Sequence, residues 1–326
     1  MSDTPSIHSV MLTGATGFVG RSVVRSLLAH GLKPVCLVHS PERLLEQHPD
    51  VDPERLAAIL GSLNDHGALR EAASLSQAAI HLAGIILQRR LRGRTFQRVH
   101  VCGTRAVTEA VRRAGIKRMV FVSALGTRAN ASSAYHRSKW VAEECVRASG
   151  LDWTILRPSL IHGPDGAFMQ LVKRLVCGLF PPAIPYFGDG RAKVQPVYVE
   201  DVAHCCVQSL FRDSAVGQVI PLGGPEAYSW VQLFNACRAL MPGARRWKPL
   251  VSQPIPVAEL SAMLSGPPLA LAETIFPSLG VYRFDHGQVL MSQEDNVCDH
   301  TIAEEAFGIR MRHFEDELAL YADLIR

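Results

Sequence analysis

The first half of the chain alternates short apolar runs with stretches of helical spacing. Ile7 to Thr13, Pro34 to His39, Leu56 to Leu60, Ala78 to Leu82, Arg118 to Ser123 and Trp153 to Leu156 read as strands. Between them, Phe18 to His30, Gly103 to Ala114 and Ala134 to Ser149 read as helices closed by Gly31, Gly115 and Gly150. Near-continuous apolar strands are covered on both faces, and strands joined through helices pair in parallel by right-handed crossovers. The expected fold is α/β, a doubly wound parallel sheet. Beyond residue 160 glycine and proline become frequent, as in Phe180-Pro-Pro-Ala-Ile-Pro185. A strand at Gln195 to Val199, a helix at Asp201 to Phe211 and a strand at Gln218 to Leu222 follow. The pattern predicts a sheet domain over 1–160 and a smaller α/β lobe over 161–326, with later strands returning to the sheet.

Composition narrows the class. A chain of 326 residues with 48% apolar residues can bury a sizeable core. A net charge of +4 is too mild for a nucleic-acid partner. Eight cysteines without a C-x-x-C pair read as small buried hydrophobes of a reducing compartment, and no metal site is expected. No apolar run is long enough for a transmembrane segment, and the polar start carries no signal peptide, so the cytoplasm is the expected location.

Thr13-Gly-Ala-Thr-Gly-Phe-Val-Gly20 joins the first strand to the first helix. Gly14 allows a tight turn, Gly17 lets the backbone approach a pyrophosphate, and Gly20 lets the helix pack against the strand. The helix start then offers free N–H groups to phosphates. This arrangement points to a nicotinamide dinucleotide. The second strand ends in His39 and Ser40, with Arg43 close behind and Arg21 on the first helix, where a site selective for NAD carries a carboxylate. These groups would hold a 2′-phosphate, so NADP(H) is favoured over NAD(H). The alternative is that Glu42 takes the ribose.

Tyr135 and Lys139 lie four apart at the start of a helix and therefore on one face. An ammonium beside a phenol would lower its pKa and could hold a ribose hydroxyl. Ser123 ends the fifth strand, where it could orient a substrate carbonyl.

With these motifs in this order, followed by Leu82-Ala-Gly84, Gly103-Thr104 and Leu156-Arg-Pro-Ser159, the chain resembles the extended and atypical short-chain dehydrogenases/reductases. More narrowly, Thr95-Phe-Gln-Arg-Val-His-Val101, Ser123-Ala-Leu-Gly126, Gln195-Pro-Val-Tyr-Val199 and Asp295-Asn-Val297 resemble bacterial relatives of the large NADPH-binding accessory subunit of respiratory complex I. The resemblance implies a seven-stranded Rossmann sheet, with Tyr135 as acid/base, Lys139 as its partner and Ser123 as helper. It implies a cofactor lying along Gly14, Thr16, Gly17, Phe18, Val19 and Gly20, beside His39, Ser40 and Arg43. The same cofactor would pass Ser62, Leu63, Leu82, Ala83, Gly84, Tyr135, Lys139 and Pro158.

Three positions depart from that pattern. His100 stands where extended members often carry an asparagine, which puts a proton relay in doubt. Ser62 replaces an acidic residue beside the adenine. Val194 replaces an arginine that grips a diphosphate, which argues against a sugar-nucleotide substrate. Two further segments stand out: the basic loop Gln88 to Arg94 and the apolar, proline-flanked Pro254 to Pro277. Either could meet a substrate, an anionic membrane surface or a partner; solvation and packing are the plain alternatives.

Two functions remain open on these grounds. One is hydride transfer to or from an alcohol or ketone carbon of a small-molecule, partly apolar substrate. The other is a non-catalytic NADPH-binding structural or sensing role like that of the complex I subunit. In that case contact with a respiratory complex or the inner membrane surface is expected.

Overall fold

The computed structural model describes residues 7–89, 93–255 and 286–325. The first half contains β1 (Ser9–Thr13), α1 (Phe18–Ala29), β2 (Lys33–Val38), α2 (Pro41–Glu46), β3 (Ala57–Leu60), α3 (His66–Ser74) and β4 (Ala78–His81). A π-helical turn, Gln97–Cys102, then runs into α4 (Gly103–Arg113), followed by β5 (Arg118–Val122), α5 (Ala134–Arg147) and β6 (Asp152–Pro158). The second half adds β7 (Ile161–His162), α6 (Ala167–Cys177), β8 (Ile184–Phe187), β9 (Lys193–Val194), β10 (Val197–Tyr198) and α7 (Val199–Gln208). Then come β11 (Gln218–Leu222), β12 (Tyr228–Ser229), α8 (Trp230–Leu240), β13 (Leu250–Gln253), α9 (His286–Met291), α10 (Thr301–Phe307) and α11 (Phe314–Tyr321).

Seven strands form one parallel sheet in the order β11-β6-β5-β4-β1-β2-β3. Alternation along each strand feeds two cores. Val10 and Leu12 face α1 and α7, packing with Val23, Val24, Leu27, Val202 and Cys206. Met11 faces the other side, packing with Leu69 of α3, Val107 and Val111 of α4, and Val146 of α5. Each large side chain so buried contributes about 1.5–3 kcal/mol. A third core joins α6, α8 and α11 through Val172, Leu175, Leu233, Phe234, Phe314 and Leu318.

Strand order reverses between β1 and β4, and in such sheets ligands bind beyond the carboxyl ends of the strands at that crevice. The glycine turn after β1, the loop after β4 and the start of α5 all lie on that edge.

The observed elements follow the sequence pattern closely in the first half, with two short helices added. Ser40 caps α2, which has Pro41 in its first turn, and Asp65 caps α3 by accepting from Gly67 N and Ala68 N at 3.0 Å each. The expected strand Gln195 to Val199 is broken instead. Only the two-residue ladders β9 and β10 form, because Pro196 has no N–H and the Gln195 side chain turns to Gly224 O and Cys298 N. Most of the apolar stretch from Pro254 to Pro277 and the middle of the basic loop, residues 90–92, lie outside the described residues. The flanks of that loop pair, with Arg89 N donating to Arg94 O at 2.8 Å and Arg94 N to Arg89 O at 3.1 Å.

Candidate functional site

The glycine turn is closed by its own backbone: Gly17 N donates to Gly14 O at 3.0 Å. Gly14 adopts φ +82°, and a Cβ there would lie 2.9 Å from Ala83 N in the loop after β4. Gly20 is the tightest point, since a Cβ would fall 2.0 Å from Gly14 O and 2.6 Å from Ala15 O. Its missing side chain seats the helix on the turn, one step nearer the phosphate site than the strand contact expected from sequence. Gly17 caps α1 with no side-chain hydrogen bond, leaving the first-turn amides of Phe18, Val19 and Gly20 directed beyond the helix start.

Beneath the turn lies an unforeseen histidine. His81 ends β4, fully buried, hydrogen-bonded to Thr13 Oγ1 at 2.5 Å and Thr104 Oγ1 at 3.0 Å, and stacked on Phe121. Burial first, and then the Lys139 charge, lower its pKa to about 3, so it stays neutral. Thr13 Oγ1 also accepts from Ala83 N at 3.4 Å. The strand ends are thereby tied together below the crevice, while Gln47 Nε2 reaches Thr16 O at 3.4 Å from above.

On the adenosine side, His39 and Arg43 are exposed. Ser40 is otherwise engaged: its hydroxyl accepts from Arg43 N at 3.2 Å and donates to Glu42 at 2.8 Å. Glu42 is held below the usual carboxylate range by its own backbone N–H and by Ser40. Arg21 pairs with Asp165 at 3.4 Å. Ser62 accepts from Asn64 N at 3.3 Å, and the Leu63 side chain fills the space that the missing Cβ of Gly103 leaves.

Lys139 is buried at the other end of the crevice. Its Nζ donates to Val122 O at 2.8 Å, at the end of β5, and sits 4.9 Å from the Phe121 ring centre. A Cβ on Gly84 would lie 3.5 Å from both Lys139 Nζ and His100 Nε2, so that glycine keeps the approach open. Burial lowers the lysine pKa to about 8, opposed by Glu143 one helical turn further on. Glu143 is fully buried and held by Arg157 at 2.6 and 2.9 Å and by Arg147 at 2.7 Å. Glu143 did not stand out in the sequence, because an i+4 carboxylate on a helix reads as an ordinary surface pair.

Tyr135 differs from expectation. Burial pushes its phenol up to about 12, and no lowering by Lys139 offsets this, since the ammonium is turned to the Val122 carbonyl. The ring is half-buried, edge-on to Phe96 and His100 at 5.9 and 5.5 Å, and beside His136 at 5.2 Å. Ser123 is buried at the end of β5, with its hydroxyl 3.4 Å from Thr127 Oγ1. Among the described residues no hydrogen bond joins Ser123, Tyr135 and Lys139 to one another, although all three gather at the same strand edge. Pro158 ends β6 and accepts from Leu125 N at 2.8 Å, which fixes the loop after Ser123.

His100 lies in the π-helical turn, and its tautomer follows from its partners. Nε2 accepts from Ile85 N at 3.0 Å, so Nδ1 carries the hydrogen and donates to Ser138 Oγ at 2.8 Å. Ser138 donates in turn to Tyr135 O at 2.7 Å. Burial, followed by Lys139 and His81, lowers the pKa to about 3. This neutral ring has no spare lone pair with which to relay a proton. It braces the loop after β4 against α5.

A cavity of about 300 Å³ opens beside Tyr135. Its walls are Ile86, Gln88 and Phe96 from the loop after β4, Ser132, Ala134, Tyr135 and Arg137 at the start of α5, and His286, Gly287, Leu290 and Met291 of α9. Just beyond α9, residues 292–298 lace the second half onto the strand ends. Arg128 and Ser132 bind Glu294 at 2.8 and 2.6 Å, Lys193 N binds Asp295 at 2.8 Å, and Ser159 Oγ binds Asn296 O at 2.8 Å. Val194 is buried in the third core and offers no group for a diphosphate.

Comparison with known proteins agrees with this geometry. A family model described as NAD(P)H-binding matches residues 14–213, more than half of the chain. A ceramide reductase of Caulobacter vibrioides is 33% identical over 237 residues, covering 71% of this chain and 70% of its own. The mitochondrial NADH dehydrogenase (ubiquinone) 1 alpha subcomplex subunit 9 of Arabidopsis thaliana is 28% identical over 79% of this chain, which spans 63% of that subunit. A UDP-glucose 4-epimerase from Thermotoga maritima superposes with a TM-score of 0.70 over 97% of this chain and 98% of its own, at 19% identity, a likeness of fold alone. The chain belongs to the NAD(P)H-binding family whose model spans residues 14–213, with a reductase among its relatives.

Proposed function

We propose that this protein transfers hydride between a nicotinamide cofactor and the alcohol or ketone carbon of a small, partly apolar molecule. The observation that carries the reading is the cavity wall. Tyr135 lines a space of about 300 Å³ one helical turn from Lys139, which is buried at the carboxyl edge of β5. The first-turn amides after Gly17 would hold the pyrophosphate, and Lys139 Nζ, beside Gly84, would hold the ribose. The cofactor, when bound, supplies the hydride.

The protein's own residues do the rest. Ser123 orients the oxygen of the reacting carbon, and Tyr135 gives it a proton or takes one. Lys139, its ammonium on Val122 O, holds the floor of the site one helical turn from the protonated phenol. Ile86, Phe96, Leu290 and Met291 exclude water and suit an apolar substrate. The reductase relative acts on an amphipathic lipid by its name, and a substrate with an apolar chain is the corresponding reading here. Residues 1–160 act as the cofactor domain and 161–326 as the substrate lobe, whose α9 closes the cavity.

Exposed His39 and Arg43 support a preference for NADP(H). Calorimetry should give NADPH tighter binding than NADH, and Arg43→Ala should narrow the gap; tighter NADH binding overturns the preference. For the chemistry, Tyr135→Phe should abolish turnover, a loss of at least about 100-fold, and leave the cofactor dissociation constant within about twofold. Full turnover in that variant removes Tyr135 from the reaction.

The second reading, a protein that holds NADPH without turning it over, draws on one observation. The Tyr135 phenol is raised to about 12 and is hydrogen-bonded to neither Ser123 nor Lys139 among the described residues. In that case Tyr135→Phe changes nothing measurable, and no carbonyl compound oxidises bound NADPH.

A further inference from the structure

Two loops of the second half run side by side. Residues 178–183 join α6 to β8, and residues 241–249 join α8 to β13. Both are pinned at both ends. At the α6 end, Arg245 N donates to Val176 O and Arg245 Nε to Cys177 O, each at 3.0 Å, while Cys177 Sγ approaches Pro242 O at 3.4 Å. Lys248, fully buried, donates from Nζ to Leu175 O at 2.8 Å. At the strand end, Ile184 N donates to Pro249 O at 2.9 Å and the β8–β13 ladder begins at Ile184 and Leu250.

On this braced base the largest apolar groups face outward. Leu179 is 68% exposed, Phe180 79% and Trp247 61%. Arg174 and Arg246 are exposed beside them, with Lys173 and Arg245 half-buried. No acidic residue occurs in 166–185 or in 241–253. A well-hydrogen-bonded foundation under exposed leucine and tryptophan marks a binding surface, since leaving such groups in water forfeits their burial. Their position at loop tips suits insertion into a yielding surface. Aromatic residues ringed by arginine are suited to the boundary between lipid headgroups and acyl chains.

We propose that this end of the molecule docks on an anionic phospholipid surface. Leu179 and Trp247 enter the headgroup boundary, and Arg174 and Arg246 bind headgroup phosphates. The inference is independent of the reaction assigned above and lies on residues outside the cofactor crevice and the cavity.

The test is flotation of the full-length protein with phosphatidylcholine vesicles, with and without phosphatidylglycerol. Binding is expected only where phosphatidylglycerol is present, and it should weaken with salt. Trp140, Trp153 and Trp230 are half-buried, so a blue shift of tryptophan emission on binding reports Trp247. Leu179→Ser with Trp247→Ser, and separately Arg174→Glu with Arg246→Glu, should each weaken vesicle binding by about tenfold or more. Both variants should keep NADPH binding, which shows that they are folded. Wild-type protein that stays in solution with either vesicle overturns the proposal. So does vesicle binding that both pairs of substitutions leave unchanged.

Discussion

Lys139 carries the sharpest consequence of burial at a single residue. With its pKa lowered to about 8, it is largely an ammonium at neutral pH and loses its proton just above. Tyr135, raised to about 12, stays protonated throughout the working range. In the reductive direction kcat/KM for the cofactor should be level near neutrality and fall as pH rises through about 8. The falling limb belongs to Lys139, because the phenol titrates far above it. Glu143 favours the ammonium, so Glu143→Gln should move the limb to lower pH; an unmoved limb removes Glu143 from this role. The Tyr135–Lys139 pair was legible from its i, i+4 spacing. The direction of the tyrosine shift was not, because it depends on how much protein surrounds the phenol and where Nζ points. Neither quantity is local in sequence.

At the scale of elements, the turn between β1 and α1 depends on glycine for two separate reasons. Gly14 needs a positive φ, whereas Gly20 needs empty space against the Gly14 and Ala15 carbonyls. Gly20→Ala therefore forces the helix off the turn. It should cost about 1–3 kcal/mol or more of stability and remove the rise in melting temperature that NADPH produces. Gly31→Ala is the contrast, since φ is +72° there but nothing lies within 4 Å of the added carbon. That variant should lose only about 1 kcal/mol and keep the cofactor response. Thermal melts with and without NADPH check both. The strands, main helices and glycine turn were readable because their periodicities are local. The break at Gln195–Pro196 was not readable in the sequence, whose pattern predicts a strand there; the glutamine's bonds to Gly224 and Cys298 come from distant segments.

For the whole molecule, buried histidines set the acid limit. His81, His100 and His162 are at most 1% exposed, and each has its pKa lowered to about 3, with burial the largest cause. Once unfolded, each binds a proton near pH 6.5. Below that point the unfolded chain takes up protons that the folded one refuses, so their contribution is intact above pH 6.5 and lost as pH falls toward 3. Each should cost about 1.4 kcal/mol per pH unit within that window. Denaturant melts between pH 7 and 4 should show the fall, and His162→Phe should reduce its slope. A slope unchanged by that substitution excludes His162 as a source.

The amino-acid sequence alone determined the parallel sheet, the dinucleotide turn and the family resemblance. Periodicity, glycine spacing and helix-face spacing are properties of neighbouring residues, and a short window contains them. Only the tertiary structure decided that His100 is a neutral brace, that Arg21 turns to Asp165, and that α9 walls the cavity beside Tyr135. Likewise only the fold brings Leu179, Phe180 and Trp247 to one surface. Each of these depends on groups far apart in the chain, and what fixes them is desolvation and hydrogen bonding in the folded molecule, which no local pattern encodes.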